Sequence, residues 1–224
     1  MRRTIAILIG AAAVAAGQIP GGLDVGSSMR QNAEALKHYS YKRRTEITVK
    51  GQSRGARVDL VRYIGGKIET VPLETPPRPQ IQQPRGLRGK IVESKIEHKK
   101  EEMKEERERL EDLLHSYLAP GSDAMHKLLE KAAISRIGTG TAADIKIVAT
   151  GVRMPHDSFT LIWSVSNHRP VSVNLQSQLD GKSVLLTVDY AALADGVFYA
   201  ARTMISMPKK ETVIRIENFD YSNS

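Results

Sequence analysis

The 224-residue chain has no cysteine. That absence removes disulfides, zinc–thiolate sites and thiol nucleophiles together. It also removes the residue on which a lipoprotein anchor would be built. Aromatic residues are scarce, at 5% of the chain with one Trp and three Phe. Surfaces that bind nucleic acid interleave basic with aromatic side chains, and no stretch here does so. Nucleic acid is therefore the poorest candidate partner. Metal-ligand spacing is lacking as well: the six His stand apart, with no pair at i,i+4 on a helix and no H-E-x-x-H. No metal and no cofactor are expected. Beyond the N-terminus, no run is long and apolar enough to cross a bilayer.

What the N-terminus does carry is an export pattern. Met1-Arg2-Arg3 is a short positive segment, and Ile5 to Ala16 is an apolar run of twelve residues. Ala13-Val14-Ala15 fits the A-x-A cleavage pattern, so 1–17 reads as a cleaved secretory signal peptide. A membrane span needs about 20 apolar residues, and this run ends sooner at Gly17-Gln18-Ile19-Pro20. The expected location is periplasmic or secreted, in a bacterium, with the mature protein soluble. Loss of Arg2 and Arg3 takes the formal charge from +8 to +6. That balance favours anionic membrane surfaces or acidic partners. Lys42-Arg43-Arg44 is one small basic cluster, read as a solvated strand face.

Residues 18–27 are rich in Gly and Ser and read as a flexible mature N-terminus. Ser28 then offers an N-cap for a short helix with Met29, Ala33 and Leu36 on one face. Alternation predicts strands over Tyr41–Lys50, Arg57–Tyr63 and Lys67–Leu73, the last two joined through Gly65-Gly66. Pro76, Pro77, Pro79 and Pro84 make 74–86 an extended loop. A long helix follows over 90–118, its first half almost wholly charged and its second half Leu-rich. The first half is expected to project and the second to dock. Pro120-Gly121 ends that helix, and Ser122 or Asp123 caps another running to about Ile134. From Ile145 onward the chain alternates through five or six strands, with Asp180-Gly181 and Ala194-Asp195-Gly196 as turns. The fold class is therefore α+β. It should be a single domain over 28–221, with about eight or nine antiparallel strands in one large curved sheet, a count read from the alternating segments. Helices would cover its apolar face.

Catalytic patterns are weak. Gly51-Gln52-Ser53-Arg54-Gly55 matches G-x-S-x-G, yet it joins two predicted strands rather than a strand and a helix. A hairpin loop is the better reading. Gly138-Thr139-Gly140 lacks the third Gly of a dinucleotide fingerprint. An enzyme is not expected.

The order of signal peptide, helix, strands, helical insertion and closing meander resembles the bacterial lipoprotein-carrier (LolA-like) superfamily. Its most suggestive stretch runs from Leu179-Asp180-Gly181-Lys182, through Val188-Asp189-Tyr190 and Ala194-Asp195-Gly196-Val197-Phe198-Tyr199, to Tyr221. The resemblance implies an unclosed barrel wrapped over helices, with an apolar cavity for acyl chains. Inward alternation makes Phe159, Leu161, Trp163, Val173, Leu175, Leu186, Val188 and Tyr190 the cavity candidates. Plain core packing would give the same pattern. Two functions follow: a carrier for lipid or a lipidated partner, with transient contact at a membrane surface, or an envelope interaction module docking through the charged helix.

Overall fold

The computed structural model describes residues 25–74, 87–118, 128, 132–138 and 143–223. The signal segment 1–17, residues 18–24, the Pro-rich stretch 75–86 and nearly all of the second expected helix lie outside the described residues. Three strands come first: β1 (Tyr39–Val49), β2 (Gln52–Ile64) and β3 (Lys67–Glu74). Seven more follow the long helix: β4 (Ala133–Ile137), β5 (Asp144–Thr150), β6 (Ser158–Ser164), β7 (Arg169–Leu179), β8 (Lys182–Ala192), β9 (Phe198–Met207) and β10 (Thr212–Asn223). All pair antiparallel in one unclosed sheet of order β3-β2-β1-β10-β9-β8-β7-β6-β5-β4. The fold is α+β, as its alternation implies.

Turn chemistry makes the meander. Lys50-Gly51, Gly65-Gly66 and Asp180-Gly181 hold positive φ at both central positions. Such turns match the right-handed twist of the strands they join. Register shifts at Ser40/Lys42, Glu46/Thr48, Ile162/Trp163 and Asp189/Tyr190 add local bends. Bulges of this kind curl a sheet that would otherwise splay.

Ten strands stand where eight or nine were expected. The extra one is β4, over residues assigned in part to the end of a helix. Ile134 and Ile137 are β-branched and suit a strand, and Gly138 follows with φ of 94°. Ile134 lies opposite Ile147 and Arg136 opposite Ile145. Helix α1 (Val25–Leu36) begins before Ser28, and Val25 is buried. Residues 25–27 are thus helical rather than part of a flexible end. Helix α2 spans Leu87–Leu118. Among the described residues, no helix is long and apolar enough to cross a membrane.

The reading of Lys42-Arg43-Arg44 as one solvated face fails. Successive strand side chains point to opposite faces, so the cluster is divided. Arg44 stays exposed, while Arg43 is 3% exposed and turns inward.

Candidate functional site

Two continuous rows of side chains cross the inner face. One runs Ala149, Phe159, Leu175, Leu186, Ile205, Ile214 and Ile47, each opposite the next. The other runs Ile147, Leu161, Val173, Val188, Thr203, Ile216 and Thr45. Six of the eight candidates stand in these rows. Tyr190 lies beside them, opposite Ala200, with its ring edge-on to Phe198 at 6.3 Å. Burial pushes the Tyr190 phenol well above its ordinary range. Trp163 is set apart. It packs with Val25, Ile145 and Ile147, and Met29 of α1 closes over that group.

Helix α2 fills the space above the rows. Leu110, Leu113, Leu114, Tyr117 and Leu118 are all buried and pack in one cluster with Phe159, Val173, Leu175, Leu186 and Val188. These spacings of three and four residues put one stripe on the sheet side of the helix. One turn earlier the surface changes character. Glu97, His98, Glu101, Glu102, Met103, Lys104 and Glu105 are exposed. The apolar face is thus roofed by about two and a half turns of a helix whose exposed preceding turns are mostly charged.

Polar contacts pin that roof. Asp157, 2% exposed, sits just before β6. Its carboxylate accepts the Tyr117 hydroxyl, the Ser177 hydroxyl at 2.8 Å and the Met154 N–H at 2.8 Å. A buried carboxylate holding three donors meets its need for hydrogen bonds in place of water. Burial first, then the bond to Asp157, raises the Tyr117 phenol far above its usual range. Further along α2, Lys210 donates to Glu106, and Arg109 reaches Asp180 at 3.3 Å in the β7–β8 turn. Beside Glu106 lies a shallow surface groove, lined also by Leu179, Lys182, Ser183, Val184, Met207, Lys209 and Lys210.

A second constellation occupies the β1–β10 end. The Tyr41 ring stacks on Tyr221 at 4.7 Å, and Tyr39 and Tyr199 also contact Tyr221. The Arg43 guanidinium lies 5.5 Å from the centre of the Tyr41 ring. It donates to the Tyr41 hydroxyl at 2.7 Å and to Asn218 at 3.2 Å. Tyr39 donates to Asp195, and that bond, followed by the Val197 N–H, holds the Asp195 carboxyl below its usual range. The spacing of Tyr39 and Tyr41 is the sequence signal for this cluster, since i and i+2 share a strand face. Nothing in the hydrophobic pattern marks Asp157, which lies in a loop.

Ser53 of the G-x-S-x-G pattern is an exposed residue of β2, opposite Thr48, and its hydroxyl accepts the Gly55 N–H at 3.3 Å. Among the described residues, no three His, Asp or Glu side chains gather as metal ligands would.

No family model matches the chain. No curated protein matches it either. Among solved structures, the chain is similar to a DUF1329 family protein from Desulfovibrio piger at 10% identity and a TM-score of 0.40, covering 91% of this chain and 92% of that one. It is similar to a LolA superfamily protein from Nitrosomonas europaea at 9% identity and a TM-score of 0.32, covering 87% and 91%. An outer membrane lipoprotein-sorting protein domain from Vibrio parahaemolyticus is similar at 7% identity and a TM-score of 0.40, covering 90% and 92%.

Proposed function

We propose that the protein is an exported, periplasmic or secreted carrier that shelters the acyl chains of a lipid or a lipidated partner, and not an enzyme. The observation that carries this reading is the pairing of an apolar inner face with a single helix that covers it. Phe159, Leu161, Val173, Leu175, Leu186 and Val188 form one surface, and the Leu-rich end of α2 lies on it. Lifting α2 would exchange helix side chains for acyl chains of similar chemistry, at about 25 cal/mol for each Å² kept from water. Hydrocarbon can replace leucine on such a surface, and Asp157, which gives up the Tyr117 hydroxyl when α2 lifts, keeps the Ser177 and Met154 donors. Trp163 is a less direct contributor, because it packs under α1.

Native mass spectrometry of protein purified from periplasm, combined with lipid extraction, tests the reading. A stoichiometric acyl-chain ligand is expected. Protein that carries none, and that takes up none when lipids are added, overturns it.

The exposed turns of α2 favour a second reading, an envelope interaction module docking through this helix. Deleting 97–105 would then abolish capture of its partner, and unchanged capture counts against it.

A further inference from the structure

We infer that the groove beside Glu106 is a headgroup site, which takes the negatively charged phosphate of an anionic phospholipid. The inference rests on the carrier reading and specifies the polar end of its ligand. Lys182, Lys209 and Lys210 line the groove, against one carboxylate, Glu106. That carboxylate is already engaged by Lys210. Lys182 and Lys209 are exposed, on the β7–β8 hairpin and in the 3-10 turn Pro208–Lys210. Lysine suits a phosphate as a compact, freely rotating point charge.

The floor decides what kind of phosphate compound fits. Val184 and Met207 line the groove and also belong to the buried cluster under α2, 1% and 9% exposed. Val184 lies two residues before Leu186 on the inner face of β8. The positive rim therefore stands directly over the edge of the apolar surface, which a tail would reach once α2 moves aside. A free anion would use only the rim, whereas an amphiphile uses both.

Position also gives the site a consequence. Glu106 stands one helical turn before Leu110, so its bond to Lys210 holds α2 where the apolar stripe begins. A headgroup arriving at Lys210 competes with Glu106 for the same ammonium. Binding at the rim would thus loosen the near end of the cover, ahead of tail entry.

The test titrates four probes into the mature protein, followed by calorimetry or by fluorescence. They are short-chain phosphatidylglycerol below its micelle concentration, the matching phosphatidylcholine, inorganic phosphate and a neutral fluorescent hydrophobe. The glycerol lipid is expected to bind about tenfold more tightly than the choline lipid, at the usual worth of basic residues near anionic lipid. The double variant Lys182→Gln/Lys209→Gln is expected to lose that preference and to take up the neutral hydrophobe as before. If the two lipids bind alike, or the variant keeps the preference, while the hydrophobe is still taken up, the headgroup site fails and the carrier stands. If neither lipid nor the hydrophobe binds, the carrier reading fails, and this inference with it. Inorganic phosphate binding as tightly as the glycerol lipid would show a site for the bare anion and overturn the proposal.

Discussion

Burial sets four of the seven tyrosines apart. Tyr63 is pushed up to about 12, first by desolvation and then by the neighbouring Tyr41. Tyr117, Tyr190 and Tyr221 are raised further, with burial the largest cause in each. A phenol whose pKa is higher in the folded state keeps its proton when the unfolded chain has lost it. Its contribution is complete below about pH 10 and is lost as the pH climbs through the folded value. The urea midpoint is therefore expected to fall steadily from about pH 10 upward. Phenolate absorbance, recorded in the same series, should lag behind for these four until the protein unfolds. Ionisation of these four near pH 10 in the folded protein would contradict the burial. Sequence made part of this legible. Tyr190 follows Val184, Leu186 and Val188 in strict alternation, and Tyr39 and Tyr41 share a face. Tyr221 was hidden, because the left-handed Asp220, φ of 52°, breaks the alternation just before it. Asp157 was hidden for another reason: its side-chain partners are 20 and 40 residues away.

The two halves of α2 obey different rules, and its sequence says so. Ion pairs within the helix occupy the exposed turns, with Lys104–Glu101 at 3.0 Å and Arg109–Glu105 at 3.9 Å. Exposed pairs of this kind contribute only a few tenths of a kcal/mol each. The apolar end contributes far more. Leu114 is 1% exposed, and Leu114→Ala is expected to cost about 2–5 kcal/mol in urea denaturation. Met103, at 56% exposed, gives the contrast: Met103→Ala is expected to stay within about 0.5 kcal/mol. Equal losses from both would mean that α2 docks along its whole length. Strand β4 shows where such reading ends. Five residues, all exposed, carry no inside–outside contrast, so alternation had nothing to register. Core and cavity were likewise inseparable, because both present the same apolar face. Only the presence of Leu110, Leu113 and Leu114 over Leu175 and Leu186 shows that the space is occupied in this state.

At the scale of the whole molecule, one seam joins two meanders. From β4 to β10 each strand pairs with its successor, and short turns made most of that order readable. The pairing of β1 with β10 has no local signal, since it places Arg43 opposite Asn218, 175 residues away. Charge on the outer face matches this register. Asp189, Arg202, Glu217 and Arg44 lie opposite one another in sequence across β8, β9, β10 and β1. Signs alternate along this row, and all four side chains are exposed. A strand slipped by one residue would lose the match and turn Ile214 and Ile216 outward. Glu217→Arg sets like charges beside both Arg202 and Arg44, and is expected to cost about 0.5–1 kcal/mol. Arg44→Glu, added to it, restores an opposite pair across the seam. The double variant should then be more stable than the sum of the single losses by a few tenths of a kcal/mol. Low ionic strength should enlarge that coupling and high salt should shrink it. Strict additivity at low salt would show that charge matching does not favour this register of β1 on β10.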